Sequence, residues 1–217
     1  MSDMELLALD CSLFADTYTE ESRYCFGDRE LRITQVFGAD LGVAAPVWDA
    51  AVCLCRYFEE QKFDFTGRRI IELGAGTGIV GILISLLGGD VTITDLPLAL
   101  QQIQYNVAAN VPPDSLCVPR IQALSWGRNH LDFPSDCDYV VGADIVYLHD
   151  TYPLLLQTLE HLCGPWTVLY LSSKMRPEHG TLAFFEEMLP HLFNTQVVYR
   201  SDSQNISIYR ATRRTDT

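Results

Sequence analysis

The residues able to do chemistry gather at three places: Glu72-Leu73-Gly74-Ala75-Gly76-Thr77-Gly78, Asp95, and Asp144 with Tyr147. At the first, a short apolar run from Ile70 to Leu73 stops at a glycine cluster, and an almost wholly apolar segment, Ile79 to Leu87, follows. β-Branched residues before the cluster predict a buried strand, and the apolar segment after it a buried helix. Glycines at such a junction let the backbone turn tightly and come close to a ligand seated on the helix N-terminus. The spacing admits more than one ligand. Gly76, Gly78 and Gly81 satisfy the G-x-G-x-x-G dinucleotide fingerprint. Glu72 with Gly74, Gly76 and Gly78 gives instead the E-x-G-x-G-x-G pattern of S-adenosylmethionine sites, and a tight turn without a ligand satisfies both. Asp95 closes a strand over Asp90 to Asp95, 21 positions after Gly74. A carboxylate there can accept hydrogen bonds from both ribose hydroxyls, which S-adenosylmethionine and NAD share. Asp144 ends another strand, Cys137 to Ala143. Ligands of doubly wound sheets meet the strands' carboxyl ends, so this residue faces the chemistry unless it only caps the next loop.

These positions need a scaffold. From Tyr24 to Phe37, Leu31, Ile33 and Gln35 alternate with Arg32 and Thr34 after a Gly27-Asp28 turn, which predicts a β-hairpin outside the main sheet. Gly38 to Gly42 is loop. A helix is expected from near Pro46, with Val47, Ala51, Leu54 and Phe58 on one face. Trp48 lies one position off that face in the first turn, and serves either core packing or a cofactor contact. Gly88-Gly89 ends the helix after the glycine cluster. Leu100, Ile103 and Val107 mark the next helix, which Pro112-Pro113 stops. Val118 to Leu124 and Thr167 to Leu171 are further strands, Tyr152 to Leu162 is a helix, and Leu182, Phe185 and Leu189 line another. Val197 to Tyr199 and Ile206 to Tyr209 make a closing hairpin. Two consecutive strands with no helix between them cannot both be parallel additions. The expected fold is α/β: a doubly wound, mostly parallel, Rossmann-like seven-stranded sheet with an antiparallel last strand and an N-terminal β-hairpin. One domain is expected over residues 1–217, with an N-terminal extension to about residue 45. Met1 to Ser12 carry no strong pattern and are expected to be loosely held.

At 217 residues, with 48% hydrophobic content and a mean hydropathy of +0.08, the chain can bury one large core. No run reaches the length of a membrane span, and the acidic start Met1-Ser2-Asp3-Met4-Glu5 is unlike a signal or transit peptide, so a cytoplasmic protein is expected. The 28 acidic and 15 basic residues leave a net charge of -13, without the basic footprint that nucleic-acid binding needs. Such a surface suits a basic protein partner, or solubility alone. Seven cysteines with no secretory signal predict free thiols in a reducing compartment. Cys53-x-Cys55 lacks a second Cys/His pair at zinc spacing, so buried thiols are expected there and no metal.

Together, Glu72 to Gly78, Thr94-Asp95-Leu96-Pro97 and Gly142-Ala143-Asp144-Ile145-Val146-Tyr147 resemble the seven-β-strand protein lysine methyltransferases of family 16, from about Leu13 to Arg210. The resemblance implies methyl transfer from S-adenosylmethionine to a lysine of a protein substrate, elongation factor 1A, with a heat-shock chaperone or valosin-containing protein as alternatives. It implies that Glu72 belongs to the cofactor-binding motif and that Gly74, Ala75 and Gly76 line the methionine part of the cofactor. Asp95 then lies on the ribose, Trp126 along the adenine, Ala143 at the cofactor's border and Trp48 closing over it. Asp144 and Tyr147 match the family's D-x-x-Y motif at the methyl-transfer site. The chemistry makes compatible demands. A lysine ammonium, with pKa ~10.4, has no lone pair and must lose a proton first. Desolvation in an aromatic-walled channel helps it do so. A carboxylate at Asp144 can orient the amine and Tyr147 can contact it. Two rivals stand beside this reading: a dehydrogenase, which the closing antiparallel hairpin disfavours, and a scaffold that binds S-adenosylmethionine without catalysis, which the intact Asp144 and Tyr147 disfavour. Small-molecule methylation is excluded only weakly.

Overall fold

The computed structural model describes residues 17–38 and 40–214; the expectation for Met1 to Ser12 lies outside them. In chain order the elements are β1 (Tyr18–Phe26), β2 (Arg29–Phe37), α1 (Asp49–Glu60), β3 (Arg69–Leu73), α2 (Ile79–Leu86), β4 (Asp90–Asp95), α3 (Leu100–Asn110), β5 (Arg120–Ala123), β6 (Tyr139–Ala143), α4 (Tyr152–Leu162), β7 (Val168–Lys174), β8 (Phe193–Ser201) and β9 (Ile206–Arg213). The main sheet runs β5-β4-β3-β6-β7-β9-β8. Strands β3 to β7 pair in parallel, and β9 enters antiparallel between β7 and β8. The strand order reverses at β3, between β4 and β6, so the ligand crevice of such a sheet opens at the carboxyl ends of these three strands.

Both faces of the sheet are buried, which is why its central strands are mostly apolar. Ile70 of β3 packs into one core with α1, α2 and α3, while Ile71 and Leu73 pack into the other with α4. Helix α2 is buried on every side from Ile79 to Ser85, as its almost wholly apolar sequence requires.

The hairpin lies outside this sheet and pairs only β1 with β2. Gly27, with φ of +55°, takes the first central position of its two-residue turn. The other edge of β2 is closed by side chains. Asn110 accepts the Arg32 N–H and donates to the Arg32 carbonyl, both at 2.8 Å. Asn106 does the same for Thr34, and Gln102 accepts the Val36 N–H at 2.7 Å. Four helical residues rise about 6 Å and two strand residues about 6.6 Å, so a ladder of amides on α3 can match alternate residues of β2. The strand edge is thereby satisfied and closed to further pairing.

Strands β5 to β9 differ from the sequence reading by a few residues at their ends, and three larger differences have a local cause. Helix α1 starts at Asp49 rather than near Pro46, because Trp48 is extended (φ -87°, ψ 145°) and stands as its N-cap. The hairpin's first strand begins at Tyr18, well before Tyr24, in a polar stretch that pairing rather than hydrophobic pattern makes a strand. The segment 181–191 is not one regular helix: a short α-turn passes into a π-turn over Phe184–Met188 and a 3-10 turn over Leu189–His191. Pro190 has no N–H to continue an α-helical ladder. The wider π-turn brings Phe184 and Phe185 both inward and leaves Leu182 50% exposed.

Candidate active site

Beyond Leu73 the chain turns through Gly74, Gly76 and Gly78, with φ of +59°, +58° and +82°. The Ala75 N–H donates to the Thr94 carbonyl at 3.1 Å and ties the loop to the end of β4. At Gly74 a Cβ would stand 2.7 Å from Ile145 Cγ2 and 3.3 Å from the Trp126 ring, so no larger residue fits without a shift. Gly81, inside α2, leaves room for a different neighbour. A Cβ there would lie 2.4 Å from the Glu72 carboxyl, which accepts the Gly81 N–H at 2.9 Å. Glu72 is 2% exposed, and burial pushes its carboxyl up to about 8, with the Gly81 N–H opposing and the Asp95 charge adding. It therefore carries its proton at neutral pH and fastens α2 to β3 beneath the loop.

Asp95 is held from above. Its Oδ2 accepts the Gly76 N–H at 2.7 Å and its Oδ1 the Leu96 N–H at 2.6 Å. Burial raises its pKa and these two donors oppose the rise. No ion pair involves it among the described residues. The loop's carbonyls are tied down as well. Gln102 donates to the Ala44 carbonyl at 2.9 Å and to that of Gly76 at 3.3 Å, and Asn106 donates to that of Thr77 at 3.0 Å. The amides that close β2 thus also brace the glycine loop.

At the end of β6, Asp144 sits in the left-handed region (φ +57°), its N–H donating to the Ser172 carbonyl at 2.7 Å. A non-glycine residue held there stores roughly 1–3 kcal/mol of strain, a cost met at functional positions. Its carboxylate accepts both Nη atoms of Arg176, at 2.7 and 2.8 Å, and the Lys174 N–H at 3.1 Å. Only 3% of the Asp144 side chain and 18% of that of Arg176 are exposed. The bond to Asp144 pushes the Arg176 guanidinium further above its usual range. That guanidinium also lies over the Trp48 ring, 5.7 Å from its centroid, and the indole N–H donates to the Val43 carbonyl at 2.9 Å. Tyr147 is half-buried. Burial raises its phenol, and the carboxylates of Asp95 and Asp144 raise it further.

The expected residues therefore gather at the ends of β3, β4 and β6: Gly74, Ala75, Gly76, Asp95, Ala143, Asp144 and Tyr147, with Trp126 against Gly74 and Trp48 against Arg176. Glu72, 2% exposed, lies beneath the glycine loop and bonds to α2 through the Gly81 N–H. Arg176, Gln102 and Asn106 were not read from the sequence. The amides had a signal, the spacing of Gln102, Asn106 and Asn110 by four; Arg176 had only its place two residues beyond β7. Cys53 and Cys55 are buried, and burial pushes the Cys53 thiol up to about 11. Among the described residues no group of three or more His, Cys, Asp or Glu is placed to hold a metal, and no helix is long and apolar enough to cross a membrane.

Residues 26–191 match the family model described as lysine methyltransferase. EEF1A lysine methyltransferase 3 of Xenopus tropicalis is 65% identical over 202 residues, covering 93% of this chain and 89% of its own length. Protein N-lysine methyltransferase METTL21A of Danio rerio is 42% identical over 197 residues, covering 90% of this chain and 89% of its own. Among solved structures, a 16S rRNA methyltransferase (RsmC) of T. thermophilus, in complex with AdoMet and guanosine, superposes with a TM-score of 0.68 over 90% of this chain and 51% of that one. At 18% identity that likeness is one of fold. The family match runs from the last residue of β1 to the turn before β8, and with it the chain belongs to the lysine methyltransferase family.

Proposed function

We propose that this lysine methyltransferase uses S-adenosylmethionine to methylate a lysine of elongation factor 1A. The observation that carries the substrate is the 65% identity, over nearly the full length of both chains, to a relative named for that protein, against 42% to METTL21A. The net charge of -13 suits a basic partner. One domain over residues 1–217 and a cytoplasmic location belong to the same reading.

The residues fit the cofactor. Each Asp95 oxygen accepts one backbone N–H and keeps an acceptor position, enough for the two ribose hydroxyls. S-adenosylmethionine, when bound, supplies a methyl group on a positively charged sulfur. Gly74, Ala75 and Gly76 would line its amino-acid end, Trp126 would lie along the adenine, Ala143 would border the cofactor, and Trp48 would close over it. Glu72, protonated and buried, adds no charge and keeps the loop in shape through Gly81. Asp144 and Tyr147 receive the lysine: Asp144 orients the nitrogen and Tyr147 contacts it. An aromatic, half-buried entry favours the neutral amine over the ammonium, and only the neutral form is nucleophilic.

The test is an incubation of the purified protein with methyl-labelled S-adenosylmethionine and, in separate tubes, purified elongation factor 1A, a heat-shock chaperone and valosin-containing protein. Label on a lysine of elongation factor 1A alone is expected. Label confined to either other protein, or absent from all three, overturns the assignment.

A further inference from the structure

Asp144 does not meet the site as a free carboxylate. Its Oδ1 accepts Arg176 Nη1 and the Lys174 N–H, and its Oδ2 accepts Arg176 Nη2, so one acceptor position remains, on Oδ2. Two roles are physically open to an arginine so placed: a plug that substrate must expel, or a fixture that stays. Expulsion would break a bidentate pair that is almost wholly buried on the Asp144 side. A lysine ammonium is a point charge and offers no planar fork in exchange. Arg176 is also held from other sides. The Trp48 ring covers its guanidinium, and its carbonyl accepts the Thr181 hydroxyl at 3.1 Å and the His179 N–H at 3.1 Å. These contacts describe a fixture.

We propose that Arg176 is a positioning residue for methyl transfer, acting through Asp144: it locks the carboxylate so that Oδ2 alone receives the lysine nitrogen. The inference rests on the reading of Asp144 as the residue that meets the lysine. It has a second consequence. A lysine arriving as ammonium meets a carboxylate whose charge is already answered, with a guanidinium behind it, and like charge disfavours the protonated form. The other charges facing Arg176 are Asp49 from α1, which Lys174 approaches at 3.7 Å, and Glu178 from the turn after β7. Asp95, across from Tyr147, completes the set.

The experiment is a cycle of Arg176→Ala, Asp144→Asn and the double variant, with Arg176→Lys beside it, each checked for fold by thermal melting. S-adenosylmethionine affinity, kcat, KM for the protein substrate and the pH–rate profile are measured. Arg176→Ala is expected to lower kcat about tenfold or more, the weight of one charge-assisted hydrogen bond. It should leave cofactor affinity within about twofold and not raise KM, because an uncovered carboxylate attracts the ammonium. Its rate profile should move to higher pH. Arg176→Lys should recover part of kcat, and Arg176→Ala should add little once Asp144→Asn is present. If the alanine variant does not fold, the lysine variant carries the test, with an intermediate kcat and unchanged KM expected. Full activity in Arg176→Ala, increased activity, parallel loss of cofactor affinity, or additive losses in the double variant each overturn the proposal. Full activity in Asp144→Asn instead removes the reading of Asp144 on which it stands.

Discussion

Asp95 and Asp144 end the two strands that flank β3, and the protein treats them in opposite ways. Asp95 is gripped by two backbone N–H groups, from residues 76 and 96, and by no cation among the described residues. Asp144 is gripped by a guanidinium fork from 32 residues away, with one N–H besides. Backbone donors fix a carboxylate's direction and leave its charge in place, while a guanidinium fixes the direction and cancels the charge. The first arrangement suits a cofactor that brings hydroxyls and a positive sulfur. The second suits a substrate nitrogen that must arrive neutral. The difference between the two ends of the crevice is therefore chemical, although both begin as an aspartate at a strand end.

Glu72 extends the comparison to a third carboxyl, 2% exposed, with one backbone donor and no cation among the described residues, and here the proton stays on. Its native pKa of about 8 stands above the ordinary 4.5, so the native state binds the extra proton between those values. Its contribution to stability is full below about pH 4.5 and is lost as pH rises through about 8. Glu72→Gln keeps an acceptor for the Gly81 N–H and cannot ionise. Across that window the variant should shed a fall in stability on the order of a few kcal/mol that the wild type shows. Denaturant unfolding at several pH values reads this directly. Parallel stability curves for the two proteins would mean that Glu72 is already ionised in the folded state.

Asp95→Ala comes next in size. Loss of a charged acceptor should weaken S-adenosylmethionine binding roughly 10- to 100-fold, or about 1.5–3 kcal/mol. Turnover at saturating cofactor should stay near wild type, since the residue serves binding and not the transfer. Calorimetric titration paired with a methylation assay separates the two. An Asp95 variant that binds normally but turns over slowly would put the two aspartates in the same role and end the contrast.

The Asp95 end of the crevice was legible in the sequence because its parts are local. The apolar run, the alternate glycines and a strand-end carboxylate 21 residues on all fall within one β-α-β unit, where spacing alone implies geometry. The same locality made the mostly parallel sheet and the closing antiparallel hairpin readable. The Asp144 end was not legible to the same depth. Its aspartate could be named, but the arginine that answers it follows a different strand, and nothing in Lys174-Met175-Arg176-Pro177 marks it as a partner. The 181–191 segment failed for a related reason. Leu182, Phe185 and Leu189 fit a helical stripe, yet the π-turn ahead of Pro190 shifts the phase and turns Phe184 inward in place of Leu182. Pro46 suits a helix's first turn and so suggests that Trp48 lies in one, whereas the hydrogen bond from its indole to Val43 and that from the Val47 N–H to Gln35 hold the approach extended.

The smallest effect is expected at Trp48, and it tests what holds Arg176 in place. The indole is 38% exposed, covers the guanidinium at 5.7 Å and donates to the Val43 carbonyl. Trp48→Phe keeps an aromatic face, weakens the cation–π contact and removes the N–H bond. Each loss at a partly exposed site is worth about 0.5–1 kcal/mol, so a fall of roughly 1–2 kcal/mol in stability is expected. Because Asp144 keeps both its bonds to the guanidinium, kcat should drop no more than about threefold, a barrier change under 1 kcal/mol. The two-sided grip on Arg176 is then unequal, with the carboxylate as the stronger hand. Should Trp48→Phe slow methyl transfer as severely as Arg176→Ala, the ring and not the carboxylate fixes the arginine, and the Asp144 end of the crevice is organised by stacking instead of by charge.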